Sequence, residues 1–343
     1  MPAPLPDSEQ RPGSLFPVGD PHWRDQAPLV SICCITYNHE AFIAEAIDGF
    51  LMQRTGFPVE ILIHDDASTD RTADIVRAYE QRYPWLIRPI YQSENQYSKK
   101  VKVAHLNYQR AKGDFFAYCE GDDAWTDPLK LQRQIGQMQA HPECRLSFHP
   151  ALRIDYARAG RRKTVGHYGD RARIVPPEEI ILKRHGQIPT AACVVRRDAL
   201  DEFRRFTAAR AYLTVGDIYM QIISAIPDGA LYLPEPMSLY RARTNGSWTA
   251  RVGSDPRMQL EHAWAVARSL KELDDMTAGR YHDAFVRRTR KYVRGVLRSP
   301  RIGATEQAAL VAEFGSALGP GDRLAALLRR LFRKWREPRR SVR

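Results

Sequence analysis

The chain has 343 residues, of which 43% are hydrophobic and 27% charged, a composition typical of a globular protein with one large domain or two small ones. No apolar run approaches the roughly 20 residues that a membrane-spanning helix needs, and the N-terminus lacks the features of a secretory signal. Residues 322–343 contain nine basic and two acidic residues, a charge of +7 out of a total of +12. The remaining chain carries only +5, which argues against a nucleic-acid-binding body.

The first 27 residues are rich in Pro and polar residues, so we expect a disordered lead over 1–27. The chain has an odd number of cysteines and no CxxC pair: Cys33, Cys34, Cys119, Cys144 and Cys193. Three of the five lie in apolar runs, which predicts buried free thiols in a reducing, cytoplasmic compartment.

Between residues 28 and 141, short apolar runs alternate with segments in which apolar residues recur at the spacing of a helix. The predicted strands are Leu29–Tyr37, Val59–Ile63, Ile87–Tyr91 and Phe115–Cys119. The predicted helices are 40–53, 71–83, 101–111 and 129–141. This alternation indicates an α/β protein with a mostly parallel sheet covered by helices, in which ligands bind beyond the carboxyl ends of the strands.

Beyond residue 145 the pattern is less regular. Leu146–Ile154 and Ala191–Val195 are predicted strands, and Asp217–Ile226 is a predicted helix. From Pro256 onwards we expect only helices: 256–276, 280–298, 304–318 and 321–337. The expected organisation is a main domain over 28–250, a helical extension over 256–319 and a separate tail helix over 321–343.

Three carboxylates in four residues follow the predicted strand 115–119, namely Glu120, Asp122 and Asp123. Unpaired, they repel one another and resist desolvation, and a divalent cation such as Mg²⁺ or Mn²⁺ would stabilise them. Gly121 would let the backbone turn and approach a ligand closely. The alternative is an acidic turn before the next helix, for which Asp127 is the expected N-cap.

No GxGxxG or GxxxxGK[ST] fingerprint follows the first predicted strand. Four segments resemble, in order, the motifs of bacterial family 2 glycosyltransferases: VSICCITYNHEAFIAEAI, VEILIHDDASTDRTADIV, AKGDFFAYCEGDDAWTDPLKLQ and GDIYMQI…YRARTNGSW. The resemblance covers about residues 28–250. It implies an inverting enzyme with the A-type nucleotide-sugar fold, a single Rossmann-like sheet flanked by helices, here with a C-terminal helical extension.

The resemblance assigns Thr36, Tyr37 and Asn38 to the nucleoside, and packing at the end of the sheet is the alternative for Tyr37. It places Asp65 and Asp66 where a carboxylate accepts a hydrogen bond from the pyrimidine ring N–H. Such an acceptor favours uracil or thymine over cytosine and therefore a UDP- or dTDP-linked donor. Which aspartate makes the bond is open, and the other would cap the turn 68–72.

Glu120, Gly121 and Asp122 occupy the family's Asp-x-Asp position, with Glu in place of the first Asp. The longer Glu120 side chain can still contact ribose or a metal-bound water. The resemblance makes Asp122 the direct ligand of Mn²⁺ or Mg²⁺, with Asp123 assisting. The metal would neutralise the charge that builds on the diphosphate as the glycosidic bond breaks.

Asp217 matches the family's catalytic base, which takes the proton of the acceptor hydroxyl during a single inverting displacement. The alternative makes Asp217 the N-cap of the following helix, and both roles are compatible. Arg241 and the residues up to Trp248 resemble a mobile loop over the diphosphate, with Arg243 where many relatives have His. Trp248 could stack on acceptor sugar or belong to the core.

The predicted tail helix is amphipathic and basic. Its apolar stripe consists of Leu324, Leu327, Leu328, Leu331 and Trp335. Arginines and a lysine surround this stripe, which fits an anionic membrane surface. A helix docked on the body with a solvated basic face is the alternative.

These features predict a cytoplasmic, metal-dependent hexosyl or deoxyhexosyl transferase, which the tail would make peripheral at the inner membrane. It would transfer sugar from a UDP- or dTDP-linked donor to a glycan or lipid-linked glycan during bacterial surface polysaccharide assembly. No nucleic acid partner is expected. The alternatives are a sugar nucleotidyltransferase, which would need a Gly-rich phosphate loop, or an inactive nucleotide- or glycan-binding scaffold.

Overall fold

The computed structural model describes residues 15–244 and 247–322. The chain divides into two compact units. One comprises the chain up to residue 209 together with 217–245, and the other comprises 210–216 and the chain from residue 246. Of the predicted tail helix, residues 323–343 lie outside the described ranges.

The strands are, in chain order, β1 (Phe16–Pro17), β2 (Val30–Thr36), β3 (Arg54–Thr55), β4 (Val59–Asp65), β5 (Ile87–Tyr91), β6 (Phe115–Tyr118), β7 (Ala124–Trp125), β8 (Leu146–Phe148), β9 (Ala151–Asp155), β10 (Arg161–Val165), β11 (Arg173–Val175), β12 (Val194–Arg196), β13 (Ala230–Tyr232) and β14 (Ser238–Ala242). The α-helices are α1 (Ile43–Leu51), α2 (Thr72–Arg82), α3 (Ala104–Arg110), α4 (Lys130–Ala140), α5 (Pro177–Leu182), α6 (Arg197–Ala208), α7 (Asp217–Ala225), α8 (Trp248–Ser254), α9 (Pro256–Met276), α10 (His282–Arg298) and α11 (Ala304–Phe314).

The first unit is built on an eight-stranded sheet with the order β11-β13-β8-β12-β6-β2-β4-β5. Strands β6, β2, β4 and β5 are parallel neighbours, whereas β12 runs antiparallel to β6 and β8. This confirms the predicted α/β class with a central sheet flanked by helices. Because β2, β4 and β6 are parallel, their carboxyl ends meet at one edge, so the polar clusters that follow them are brought together.

The core of this sheet follows directly from the apolar runs of the sequence. Ile32 of β2 and Ile61 of β4 are fully buried with Ile43, Ile47 and Phe50 of α1. These helix residues recur at spacings of three and four, which places them on the one face that covers the sheet. All five cysteines are free and buried, as predicted.

A second sheet, with the order β10-β9-β14-β7, was not predicted. The expected single strand 146–154 is interrupted at Pro150 and forms β8 in the first sheet and β9 in the second. Proline lacks the N–H that a ladder needs, which explains the break. Because β7 directly follows the acidic cluster and pairs with β14, the second sheet carries Arg241 to that cluster.

In the second unit α9, α10 and α11 correspond to the helices predicted after Pro256. Their shared core includes Ala267, Val293, Val296 and Leu310. Within the described ranges, no helix combines the length and hydrophobicity needed to cross a bilayer.

Candidate active site

The segment that follows β2 is held by the loop that follows β4. The backbone N–H of Asn38 donates to Ser68 Oγ over 2.9 Å, and Asn38 Oδ1 accepts from the N–H of Thr69 over 2.8 Å. These bonds fix Asn38 in the left-handed conformation, with φ of 55°. Tyr37 is 43% exposed, so one side of its ring is open to a ligand.

The two adjacent aspartates after β4 have different partners. Asp65 accepts hydrogen bonds from the N–H of Ser68, over 3.3 Å, and from its hydroxyl. Asp66 accepts from the backbone N–H groups of Gln96 and Tyr97, over 2.8 and 3.0 Å. Asp65 therefore stabilises the turn to α2, while Asp66 organises the loop after β5.

Gly121 brings the acidic loop directly onto the end of β2. Its N–H donates to the carbonyl of Ile35 over 2.9 Å. A Cβ at this position would lie 2.5 Å from Thr36 Oγ1 and 3.0 Å from His39 Nδ1. Only glycine allows the two segments to approach so closely.

We therefore expect Gly121→Ala to displace the acidic loop and to lower the free energy of unfolding by about 1–3 kcal/mol, the usual cost of overpacking. Urea denaturation measures the change. Gly295→Ala in α10 is the control, since a Cβ there meets no atom within 4 Å. Equal stability of the Gly121→Ala variant and the wild type would contradict the close approach.

The three acids have distinct environments. Asp122 is 16% exposed at its side chain and accepts a hydrogen bond from Thr244 Oγ1 over 3.1 Å. Asp123 is buried, and its Oδ1 accepts from the backbone N–H of Arg241 over 2.8 Å. Of these two carboxylates, Asp122 is thus the one open to a ligand, and Asp123 anchors β14.

Negative charge in the cluster is poorly compensated. Burial, the charge of Asp122 and the charge of Asp217 raise the pKa of Glu120 to about 7. Burial and the charges of Asp122 and Glu120 also raise the pKa of Asp123, although contacts with Arg241 oppose this. A bound cation would relieve this repulsion.

The described residues contain no cluster of three side chains spaced to hold a metal ion by themselves. Mg²⁺ in phosphate-transfer sites is commonly bound by one or two carboxylates and completed by substrate phosphates and water. Asp122, partly exposed beside two further acids, fits a metal of that kind.

The raised pKa of Glu120 predicts a pH-dependent stability. Because about 7 lies above the ordinary value of 4.5, its contribution to stability is fully present below pH 4.5 and is lost as the pH rises through 7. Relative to Glu120→Gln, the wild type should lose up to about 3 kcal/mol of unfolding free energy between pH 4.5 and 8. Urea denaturation in chelator checks this, and parallel profiles of the two proteins would contradict it.

Asp217 is the first residue of α7, a helix whose other eight residues are buried. Its charge raises the pKa of both Glu120 and Cys193, which places the carboxylate within electrostatic reach of the acidic loop. The charge of Asp217 therefore acts on Glu120 of the acidic loop.

Arg241 lies in β14, and its side chain is only 5% exposed. It donates to the Asp122 carbonyl over 2.8 Å, forms an ion pair with Glu45 and lies over the ring of Phe42. These contacts give Arg241 a role in holding the acidic loop. Two guanidinium nitrogens of Arg243, Nε and Nη2, donate to the two carboxylate oxygens of Asp155. These bonds hold the pKa of that carboxylate below its usual range.

Trp248 begins α8 in the second unit. Its ring packs edge-on against His262, with centroids 4.8 Å apart. His262 Nδ1 in turn lies 2.8 Å from Thr214 Oγ1. The Trp248 side chain is half-buried, which is compatible with either role considered for it.

Two site residues were missed by sequence reasoning. His39 lies between the nucleoside segment and the acids, with Nδ1 3.2 Å from Thr36 Oγ1 and Nε2 4.0 Å from Asp122 Oδ2. Burial lowers the pKa of His39, although the charge of Asp122 opposes this shift. His39 could have been identified from the sequence, because it directly follows Thr36-Tyr37-Asn38. No local sequence pattern points to Thr244.

The chain is similar to known proteins in both sequence and fold. Residues 31–203 match the family model described as glycosyl transferase family 2. An uncharacterized protein of Mycobacterium tuberculosis is 35% identical over 254 residues, which is 73% of this chain and 69% of the relative. The dTDP-rhamnosyl transferase RfbG of Shigella flexneri is 24% identical over 63% of this chain and 74% of its own.

A crystal structure of S. aureus TarS in complex with UDP-GlcNAc has the same fold. It superposes with a TM-score of 0.63 at 14% identity, covering 86% of this chain and 83% of that one. With the family model spanning half of the residues, the conclusion is that the chain belongs to glycosyl transferase family 2.

Proposed function

We propose that the protein transfers a hexosyl or deoxyhexosyl group, with inversion, from a UDP- or dTDP-linked donor to a glycan or lipid-linked glycan. The observation that carries this proposal is the position of the acidic loop at the carboxyl edge of the sheet, at the end of β2, where Gly121 N–H donates to the Ile35 carbonyl and Asp122 Oδ2 lies 4.0 Å from His39 Nε2. That edge is where sheets of this type bind ligands.

The donor is held in two parts. Thr36, Tyr37 and Asn38 contact the nucleoside, for which the exposed Tyr37 ring offers a stacking surface. The Asp65–Asp66 pair supplies the acceptor for the pyrimidine N–H. Two similar proteins support a uridine or thymidine donor, because one was solved with UDP-GlcNAc and the other is named a dTDP-rhamnosyl transferase.

Asp217 acts as the general base. The acceptor hydroxyl attacks the anomeric carbon, its proton passes to the Asp217 carboxylate, and the bond from the anomeric carbon to the diphosphate oxygen breaks. The start of α7, a helix whose other residues are buried, supports this role because it holds the backbone of Asp217 in a defined position.

Asp122 would hold a divalent cation, Mn²⁺ or Mg²⁺, which when bound neutralises charge on the departing diphosphate. Glu120 contacts the ribose, and Asp123 supports the site through β14. Arg241 fixes the backbone of Asp122, which keeps its carboxylate at the mouth of the site.

The acceptor class and a cytoplasmic location follow from the motifs shared with bacterial family 2 enzymes. The basic stretch 321–343 would contact an anionic membrane surface, where lipid-linked acceptors lie.

The test is release of nucleoside diphosphate from UDP-, dTDP-, GDP- and CDP-sugars by the purified protein, with Mn²⁺ and with chelator. We expect release from one or more UDP- or dTDP-sugars in Mn²⁺ only. Binding without any release would support an inactive scaffold. Release of pyrophosphate from a nucleoside triphosphate and a sugar phosphate would support a nucleotidyltransferase.

A further inference from the structure

The ribbon formed by β9, β10 and their connecting turn carries a concentrated positive charge, and we call it the basic hairpin (151–165). Its unpaired cationic residues are Arg158, Arg161, Arg162 and Lys163. All four are exposed, and within the described ranges none of them forms an ion pair. The acid of the hairpin, Asp155, is already bound by Arg153 and Arg243.

The charges lie on both faces of the ribbon. Strand β10 is the outer strand of its sheet and pairs only with β9, with Arg161 opposite Asp155 and Lys163 opposite Arg153. Because successive side chains of a strand point to opposite faces, Arg162 projects away from Arg161 and Lys163. One basic residue would suffice to protect an edge strand from pairing, and three in succession exceed that need.

The turn of the hairpin adds an exposed aromatic ring. Tyr156 is 47% exposed, and its other side contacts Phe42 with centroids 5.8 Å apart. Phe42 lies under the guanidinium of Arg241, which bonds to the Asp122 carbonyl. The hairpin is therefore joined by direct contacts to the loop that carries the acidic cluster.

From these features we infer that the basic hairpin is a membrane contact, which binds the anionic phosphates of a phospholipid surface. Strand β10 forms the free edge of its sheet, so a layer of headgroups at that edge would meet basic side chains on both faces of the strand. A soluble anionic glycan lying along the sheet would meet one face only. Tyrosine at the tip suits the interface, since its ring is amphipathic.

This inference extends the proposed function, because the contact would hold the donor site at the surface where a lipid-linked acceptor lies. It is distinct from the basic stretch 321–343, since it belongs to the folded sheet domain. It also explains why charge is concentrated on a strand whose outer edge is unpaired.

The test is cosedimentation of the full-length protein with vesicles of phosphatidylcholine alone or mixed with phosphatidylglycerol, without donor. The variant Arg161→Gln/Arg162→Gln/Lys163→Gln removes three charges from β10. We expect its partition onto anionic vesicles to fall roughly 100-fold, since each basic residue near an anionic surface contributes about fivefold. Neither protein should bind phosphatidylcholine vesicles.

The matched control is Arg82→Gln/Lys112→Gln/Arg205→Gln, which removes the same charge from exposed positions outside the hairpin. It should retain wild-type partition to within a few-fold. Equal losses in both variants would overturn the inference, because net charge alone would then explain binding. So would loss of binding to a soluble anionic polysaccharide in the hairpin variant with unchanged vesicle binding, which would indicate an anionic glycan partner.

A second measurement locates the contact. Tyr156→Trp places a fluorophore at the tip, and brominated anionic lipids should quench it beyond the level seen with the six native tryptophans. Unchanged quenching would place the hairpin away from the bilayer. Because no donor is present, these outcomes are independent of whether sugar transfer is detected.

Discussion

Asp217→Asn is expected to lower the rate of sugar transfer by a factor of about 10³, within the range for loss of a general base. Asparagine cannot take the proton of the acceptor hydroxyl at neutral pH. Nucleotide binding should be unchanged, because the proposed role of Asp217 involves only the acceptor hydroxyl. Initial rates with the donor found in the nucleotide-sugar screen, together with calorimetric titration of the nucleoside diphosphate, separate the two effects.

The choice of asparagine also distinguishes catalysis from capping. Asparagine keeps a polar side chain of the same size at the first position of α7, so a residue that only starts the helix would tolerate the change. The control is Asp198→Asn, which alters an exposed acid in the first turn of α6 and should leave turnover intact. Turnover near the wild-type rate in Asp217→Asn would remove Asp217 from the mechanism.

Asp122→Asn is expected to reduce transfer by on the order of 10²-fold or more, because the charge on the departing diphosphate would lose its neutralising partner. The Mn²⁺ concentration needed for half-maximal turnover should rise in parallel. Turnover measured across a range of Mn²⁺ concentrations gives both quantities.

Thr244→Val provides a graded comparison, since it removes only the 3.1 Å hydrogen bond to Asp122 Oδ2. Its effect should be in the same direction and several-fold smaller. Asp201→Asn, at a partly exposed acid of α6, is the charge-matched control. An unchanged Mn²⁺ dependence in Asp122→Asn would show that this carboxylate is not a ligand.

The sheet of the first unit was predictable because its signals are local. The run that forms β2 is β-branched and almost entirely buried, and the helical period of α1 follows it directly. The parallel arrangement then determines that residues after β2, β4 and β6 meet at one edge. The acidic cluster could be found for the same reason, since it follows β6 in the chain.

The second sheet could not be predicted, because its pairings join distant segments. Strand β7 has two residues, and it is defined by its partner β14 more than 110 positions later. The contact of Thr244 with Asp122 depends on that pairing. The burial of Arg241 has the same origin, so its role in supporting Asp122 emerges only from the three-dimensional arrangement.

The assignment of Asp65 and Asp66 shows a similar limit. The sequence places both at the end of one strand and offers no reason to separate them. The structure distinguishes them by their hydrogen-bond donors. Asp65 accepts from Ser68 in the next turn, whereas Asp66 accepts from the backbone of Gln96 and Tyr97 in the loop after β5. The second of these contacts spans about 30 residues of chain, beyond the reach of a local pattern.

Calorimetric titration of UDP and dTDP into the full-length wild-type protein, first in Mn²⁺ and then in chelator, tests directly whether the acidic cluster binds a cation and diphosphate together. We predict that one of these nucleotides binds in Mn²⁺ and that chelation weakens its affinity at least about tenfold, which corresponds to 1.4 kcal/mol. Equal affinity in both buffers, or tighter binding of CDP than of either nucleotide, would contradict this account of the site.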